Sequence, residues 1–72
     1  MRFKYKGYIF QFTGGDHGGR HIHVIRGTRK VGVYDRVAGP IHGLERIWNK
    51  DLKEGIESFI GKLNESGFFH RD

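Results

Sequence analysis

The sequence predicts an α+β fold: a small antiparallel sheet of three to five short strands with one C-terminal helix packed on one face. Three observations carry this. Tyr8, Phe10 and Phe12 alternate with Ile9, Gln11 and Thr13, the period of a strand with one apolar face. His21–Arg26 and Arg29–Asp35 flank Gly27-Thr28, a dipeptide suited to a two-residue hairpin turn. Leu52, Ile56, Phe59, Ile60 and Leu63 recur at helical spacing and form one apolar stripe.

Taken in order, Phe3–Tyr5 and Tyr8–Thr13 read as strands joined by a Lys6-Gly7 turn. Residues 14–20, with four glycines, read as a loop. The next two strands form the Gly27-Thr28 hairpin. A two-residue turn sets Arg26 opposite Arg29, Val24 opposite Val31 and Ile22 opposite Val33. His23 then faces Gly32 and His21 faces Tyr34, on the other side of the sheet. Val37-Ala38-Gly39-Pro40 reads as a turn, and Ile41–Trp48 as a further strand or an irregular crossing weakened by Gly43. The helix begins near Asp51, read as a capping residue with Glu54 three positions on. It ends near Gly67, with Phe68 packing back on Leu63. Gly55 borders the stripe, where it permits close approach to the sheet. Gly61 points the other way. Trp48 reads as a packing residue, and His42 and His70 as surface residues.

The chain has 72 residues, enough for one domain over residues 1–72. It has no cysteine, which excludes disulfides, thiolate nucleophiles and Cys-ligated zinc, and fits a reducing cytoplasm. Nothing near Met1 is long and apolar enough for a signal peptide or a membrane span. The formal net charge of +5 is unevenly placed. Residues 1–36 carry eight Lys/Arg against two Asp, and the rest carry five against six acids. The basic half also holds Phe3, Tyr5, Tyr8, Phe10, Phe12 and Tyr34. Basic and aromatic together suit a polyanion, RNA before DNA. A basic surface that only confers solubility is the plainer account.

Chemistry concentrates in Asp16-His17-Gly18-Gly19-Arg20-His21-Ile22-His23. His21 and His23 lie two apart on a predicted strand, so both imidazoles project to one side. As acid/base groups, His21 and His23 with Arg20 are the candidate catalytic set of a metal-independent ribonuclease that uses the substrate's own 2′-hydroxyl. Arg26, Arg29, Lys30 and Tyr34 are then the candidate nucleic-acid-binding residues. As a metal centre, Asp16, His17, His21 and His23 supply an oxygen and three nitrogen ligands. The plainest alternative makes His21 and His23 strand residues hydrogen-bonded to the loop, with Asp16 capping its turn. The glycines around Asp16 lack the Gly-Lys-Ser/Thr of a phosphate-binding P-loop, and Ser58 and Ser66 have no His or Asp at useful spacing. No cofactor is expected.

Gly7-Tyr8-Ile9-Phe10-Gln11-Phe12, then Asp16-His17, then His21-Ile22-His23-Val24, resembles the bacterial domain-of-unknown-function family 4160. Its members run from a Gly-led aromatic strand through an Asp-His loop into a His-X-His-Val strand, a hairpin and a C-terminal helix. The likeness spans roughly Phe3 to Phe68. Where members commonly carry Pro-Pro before the first strand histidine, this chain has Gly18-Gly19-Arg20. The resemblance implies a small bacterial cytosolic protein of toxin–antitoxin-like gene pairs, and supplies no activity. In style alone the chain is also similar to HicA-type RNA-cleaving toxins, without their N-terminal helix.

The expected function is therefore that of a small basic cytoplasmic protein that binds nucleic acid and cleaves it through strand histidines. The alternatives are a non-enzymatic antitoxin or accessory module that docks a cognate small protein, and a His-rich metal-binding domain. A homodimer is a further expected partner state, and a membrane is not expected as a partner.

Overall fold

The computed structural model describes residues 1–12 and 21–65. The strands are β1 (Arg2–Tyr5), β2 (Tyr8–Gln11), β3 (His21–Arg26), β4 (Arg29–Asp35) and β5 (Gly39–Ile41). Two helices follow, α1 (Leu44–Ile47) and α2 (Lys50–Glu65). Among the described residues the strands form one antiparallel sheet in chain order, β1-β2-β3-β4-β5. The expected α+β architecture is what the chain adopts, with α2 on β1 and β2 and α1 on β4 and β5.

Both predicted hairpin turns form, for backbone reasons. Lys6 and Gly7 each have positive φ (49° and 86°), the signs a type I′ turn requires, and Tyr5 faces Tyr8 across it. At Gly27-Thr28 only Gly27 has positive φ (67°), the sign pattern of a II′ turn, and Arg26 faces Arg29.

Alternation on β2 sends Tyr8, Phe10 and Phe12 to the helix side, where all three are buried. Ile22 and Val24 of β3 join them, and Leu52, Ile56, Phe59 and Leu63 of α2 close the core from above. Each such side chain contributes about 1.5–3 kcal/mol by leaving water. Phe3 stacks on Phe59 at 5.8 Å, extending the core to the β1 edge. The closeness of helix and sheet depends on Gly55. A Cβ there would lie 2.6 and 2.7 Å from two atoms of the Phe10 ring.

Three expectations are corrected. Ile41–Trp48 is neither a long strand nor an irregular crossing. Ile41 ends β5, His42 (φ 55°) and Gly43 (φ 102°) turn the chain, and α1 follows. Second, the residue that caps α2 is Asn49, not Asp51. Asn49 Oδ1 accepts from the Leu52 N–H at 2.8 Å, and the Asn49 carbonyl accepts from the Lys53 N–H at 3.0 Å. Asp51 sits in the first turn and receives the Lys6 ammonium at 3.4 Å. Third, the β3–β4 register is shifted by a bulge. Val24 faces Gly32 while Ile25 faces Lys30, leaving Val31 as the extra residue. The expected helix ending at Gly67 and Phe68 lies outside the described residues.

The Lys6–Gly7 turn is tied to the start of α2 by a small polar cluster. The Tyr5 hydroxyl donates to Glu54 Oε1 at 2.9 Å, and Lys6 reaches Asp51 and, at 3.9 Å, Glu54. The hydrogen bond to Glu54 raises the Tyr5 phenol above its ordinary pKa. The hydrogen bond to Asp51 likewise raises the Lys6 ammonium.

Candidate functional site

Because both helices pack on one side of the sheet, the strand residues of opposite parity form a helix-free face. The pairing of the strands lays that face out in rows. One row runs Lys4, Ile9, Ile25, Lys30 across β1 to β4. The next runs Arg2, Gln11, His23, Val33, Ile41 across all five strands. A third places His21 beside Asp35 and Asp35 beside Gly39.

The expected sharing of one face by His21 and His23 therefore holds, but their neighbours are not the expected ones. The Val31 bulge shifts β4 by one residue, so His21 faces Asp35 and His23 faces Val33. A one-residue slip exchanges the two sides of a strand. Gly32 and Tyr34 consequently turn to the helix side. A Cβ on Gly32 would come within 2.5–2.8 Å of Leu44, so its bare backbone seats α1. Tyr34 stacks on Trp48 at 5.6 Å with the rings 16° apart.

The residue that organises the face is Asp35. Its Oδ2 lies 3.0 Å from His21 Nε2. Its Oδ1 accepts from the Val37 and Ala38 N–H groups at 2.8 and 3.1 Å. Only 4% of Asp35 is exposed, and a carboxylate so buried is costly unless its oxygens are satisfied. Here the His21 ring and two backbone N–H groups meet them. The contact thus orients His21 on a strand whose backbone is already set by pairing on both sides. Sequence reasoning passed over Asp35. The available signal was its place before Arg36-Val37-Ala38, where an Asp side chain closes a turn on the N–H groups two and three residues ahead.

The cations divide into two settings. At the β3–β4 hairpin, Arg26 and Arg29 face each other across the turn, and Lys30 follows. Like charges directly opposite are unfavourable. Arg26 is drawn aside over the Tyr8 ring, at 5.3 Å, with Nη1 3.5 Å from the Tyr8 hydroxyl. Arg29 and Lys30 are exposed. On β1, Arg2 and Lys4 extend from the helix-free face, and with Phe3 and Ile9 they line an open cleft of about 330 Å³.

The aromatic residues of the basic half are on the wrong side to stack on bases over this face. Tyr8, Phe10 and Phe12 are buried in the core, and Phe3, Tyr5 and Tyr34 pack against it. The helix-free face instead offers charge, imidazoles and aliphatic side chains. Asp16, His17 and Arg20 lie outside the described residues. Among the described residues no three His, Asp or Glu side chains are grouped to hold a metal ion. Among them, too, no helix is long and apolar enough to cross a membrane.

No protein-family model, curated protein or solved structure matches the chain.

Proposed function

We propose that this chain binds RNA along its helix-free face and cleaves it without a metal, with His21 and His23 as the acid/base pair. The observation that carries the reading is the placement of two half-buried imidazoles on one helix-free face, one of them held by the buried Asp35. Two residues along a strand separate their Cα atoms by about 7 Å, a spacing that lets the two rings flank one phosphate. One imidazole takes the proton of the 2′-hydroxyl as O2′ attacks phosphorus. The other gives a proton to the departing 5′ oxygen, leaving a 2′,3′-cyclic phosphate and a 5′-hydroxyl. Arg20, immediately before β3 in the chain, is the third member and supplies positive charge for the phosphorane. Lys30, in the row of Ile9 and Ile25, holds flanking backbone, whereas Arg26 and Arg29 pair on the helix side with Tyr8 and take no part on this face. With the aromatic rings turned to the helices, recognition rests on the phosphodiester backbone, and little base selectivity is expected. The resemblance to family 4160 adds a cytoplasmic protein of toxin–antitoxin type to this reading.

The test is incubation of tag-free protein with a single-stranded RNA in EDTA. Cyclic-phosphate ends are expected, with the rate falling at least about 100-fold in His21→Ala and in His23→Ala. RNA left intact at high protein concentration, or variants as active as the parent, overturns the cleavage.

A second reading has its own observation. Ile9 beside Ile25, both half-buried, makes part of the same face aliphatic. That suits a non-enzymatic antitoxin or accessory module that docks a small partner protein. A stable complex with the product of a neighbouring gene, lost on Ile25→Lys and accompanied by no RNA turnover, supports it over the first.

A further inference from the structure

We infer that Arg2 and Lys4 form a separate phosphate-binding subsite on β1, which holds the RNA strand on the far side of His23 from Asp35; this rests on the RNA reading of the helix-free face. The chain has three cations between residues 1 and 12 and no acid there. Their surroundings differ. Lys6, at the turn, is answered by Asp51 and Glu54 of α2. Arg2 and Lys4 are exposed, form no ion pair with any described residue, and face away from α2. They flank the open cleft floored by Ile9.

Strand pairing connects this cleft to the imidazoles. Arg2 neighbours Gln11, and Gln11 neighbours His23. Two inter-strand steps separate Arg2 from His23, about 10 Å. Gln11 lies between them with an amide that can donate to a phosphate or sugar oxygen. A strand whose reacting phosphate lies between His21 and His23 thus meets a donor and then two cations as it crosses toward β1. A nucleic-acid backbone is favoured over an acidic peptide because the cations are spread along a path that also contains the imidazoles. Charge on an edge strand also deters strand addition by another chain. That role alone gives Arg2 and Lys4 no effect on RNA affinity.

The experiment measures the Kd of an uncleavable 2′-O-methyl oligonucleotide across a salt series. It compares the parent, the double variant Arg2→Gln/Lys4→Gln, and Lys50→Gln/Lys53→Gln, which removes equal charge from α2. The β1 variant is expected to bind about tenfold more weakly at low salt, with a salt slope shallower by about 1.4, two phosphate contacts' worth for a single strand. The α2 variant is expected to stay within about twofold. Equal losses in both double variants, or parental affinity and slope in the β1 variant, overturn the subsite while leaving the RNA reading intact. A parent that binds no RNA, or binds polyglutamate as well as RNA, overturns both.

Discussion

Asp35 bridges two elements at once: its Oδ2 sits 3.0 Å from His21 Nε2 across the β3–β4 pair, while its Oδ1 closes the following turn on Val37 and Ala38. The same carboxylate therefore stabilises the sheet and orients a candidate catalytic ring. Asp35→Ala removes the acceptor of two backbone N–H groups and the contact that holds the imidazole, and is expected to cost about 2–3 kcal/mol. Asp35→Asn keeps an oxygen for the turn and is expected to cost less, about 1 kcal/mol. Urea midpoints separate the two. Equal losses would show that the turn bonds are not what the carboxylate contributes.

The helix glycines are expected to respond in opposite directions to the same change. Alanine is favoured over glycine in a helix by about 1 kcal/mol. At Gly61 an added Cβ meets nothing within 4 Å, so Gly61→Ala is expected to stabilise by nearly that amount. At Gly55 the Cβ runs into the Phe10 ring and comes 3.2 Å from Tyr5. Overpacking of that kind costs about 1–3 kcal/mol, so Gly55→Ala is expected to destabilise on balance. Thermal melts of the two variants check this, and a raised Tm for Gly55→Ala would contradict the close helix–sheet approach.

Gly32→Ala tests the bulged register directly. With Gly32 under Leu44, the added methyl meets both backbone and Cβ of α1, and a loss of about 2–3 kcal/mol is expected. Had Gly32 stood beside His23 on the helix-free face, the same change would not meet α1.

Asn49→Ala removes the cap of α2 and is expected to cost about 1 kcal/mol. Asp51→Ala removes only an exposed ion pair and is expected to cost less. The reverse order in chemical denaturation would return the cap to Asp51.

The Lys6–Tyr5 cluster imposes an alkaline limit. Both groups bind their protons more tightly in the folded chain than at their ordinary values of 10.5 and 10.0. Their contribution is thus complete below about pH 10 and is lost as pH rises through the higher folded-state values. Stability measured from pH 9 upward is expected to fall less steeply in the double variant Tyr5→Phe/Lys6→Met than in the parent. Identical slopes would show that the cluster is not linked to folding.

Local pattern made most of the fold legible. The Tyr8-Phe10-Phe12 alternation, the turn glycines Gly7 and Gly27, and the Leu52–Leu63 stripe each act over a few residues, and each is realised as read. The same holds for the shared face of His21 and His23, which needs only the two-residue period of a strand. At the start of α2 Asp51 has the capping spacing to Glu54, but Asn49, two residues earlier, is the cap. Which one serves depends on how the chain leaves α1.

Sequence alone thus determined the α+β class, the two hairpins, the core face and the histidine pair. The tertiary structure decided the surroundings of that pair. The Val31 bulge carries Gly32 beneath Leu44 and Tyr34 against Trp48, and brings Asp35 beside His21. No local pattern encodes that exchange, because it depends on α1 packing against β4, a contact between segments that meet only when the chain folds. That contact separates a face of two histidines from one in which a buried carboxylate holds one of them in place.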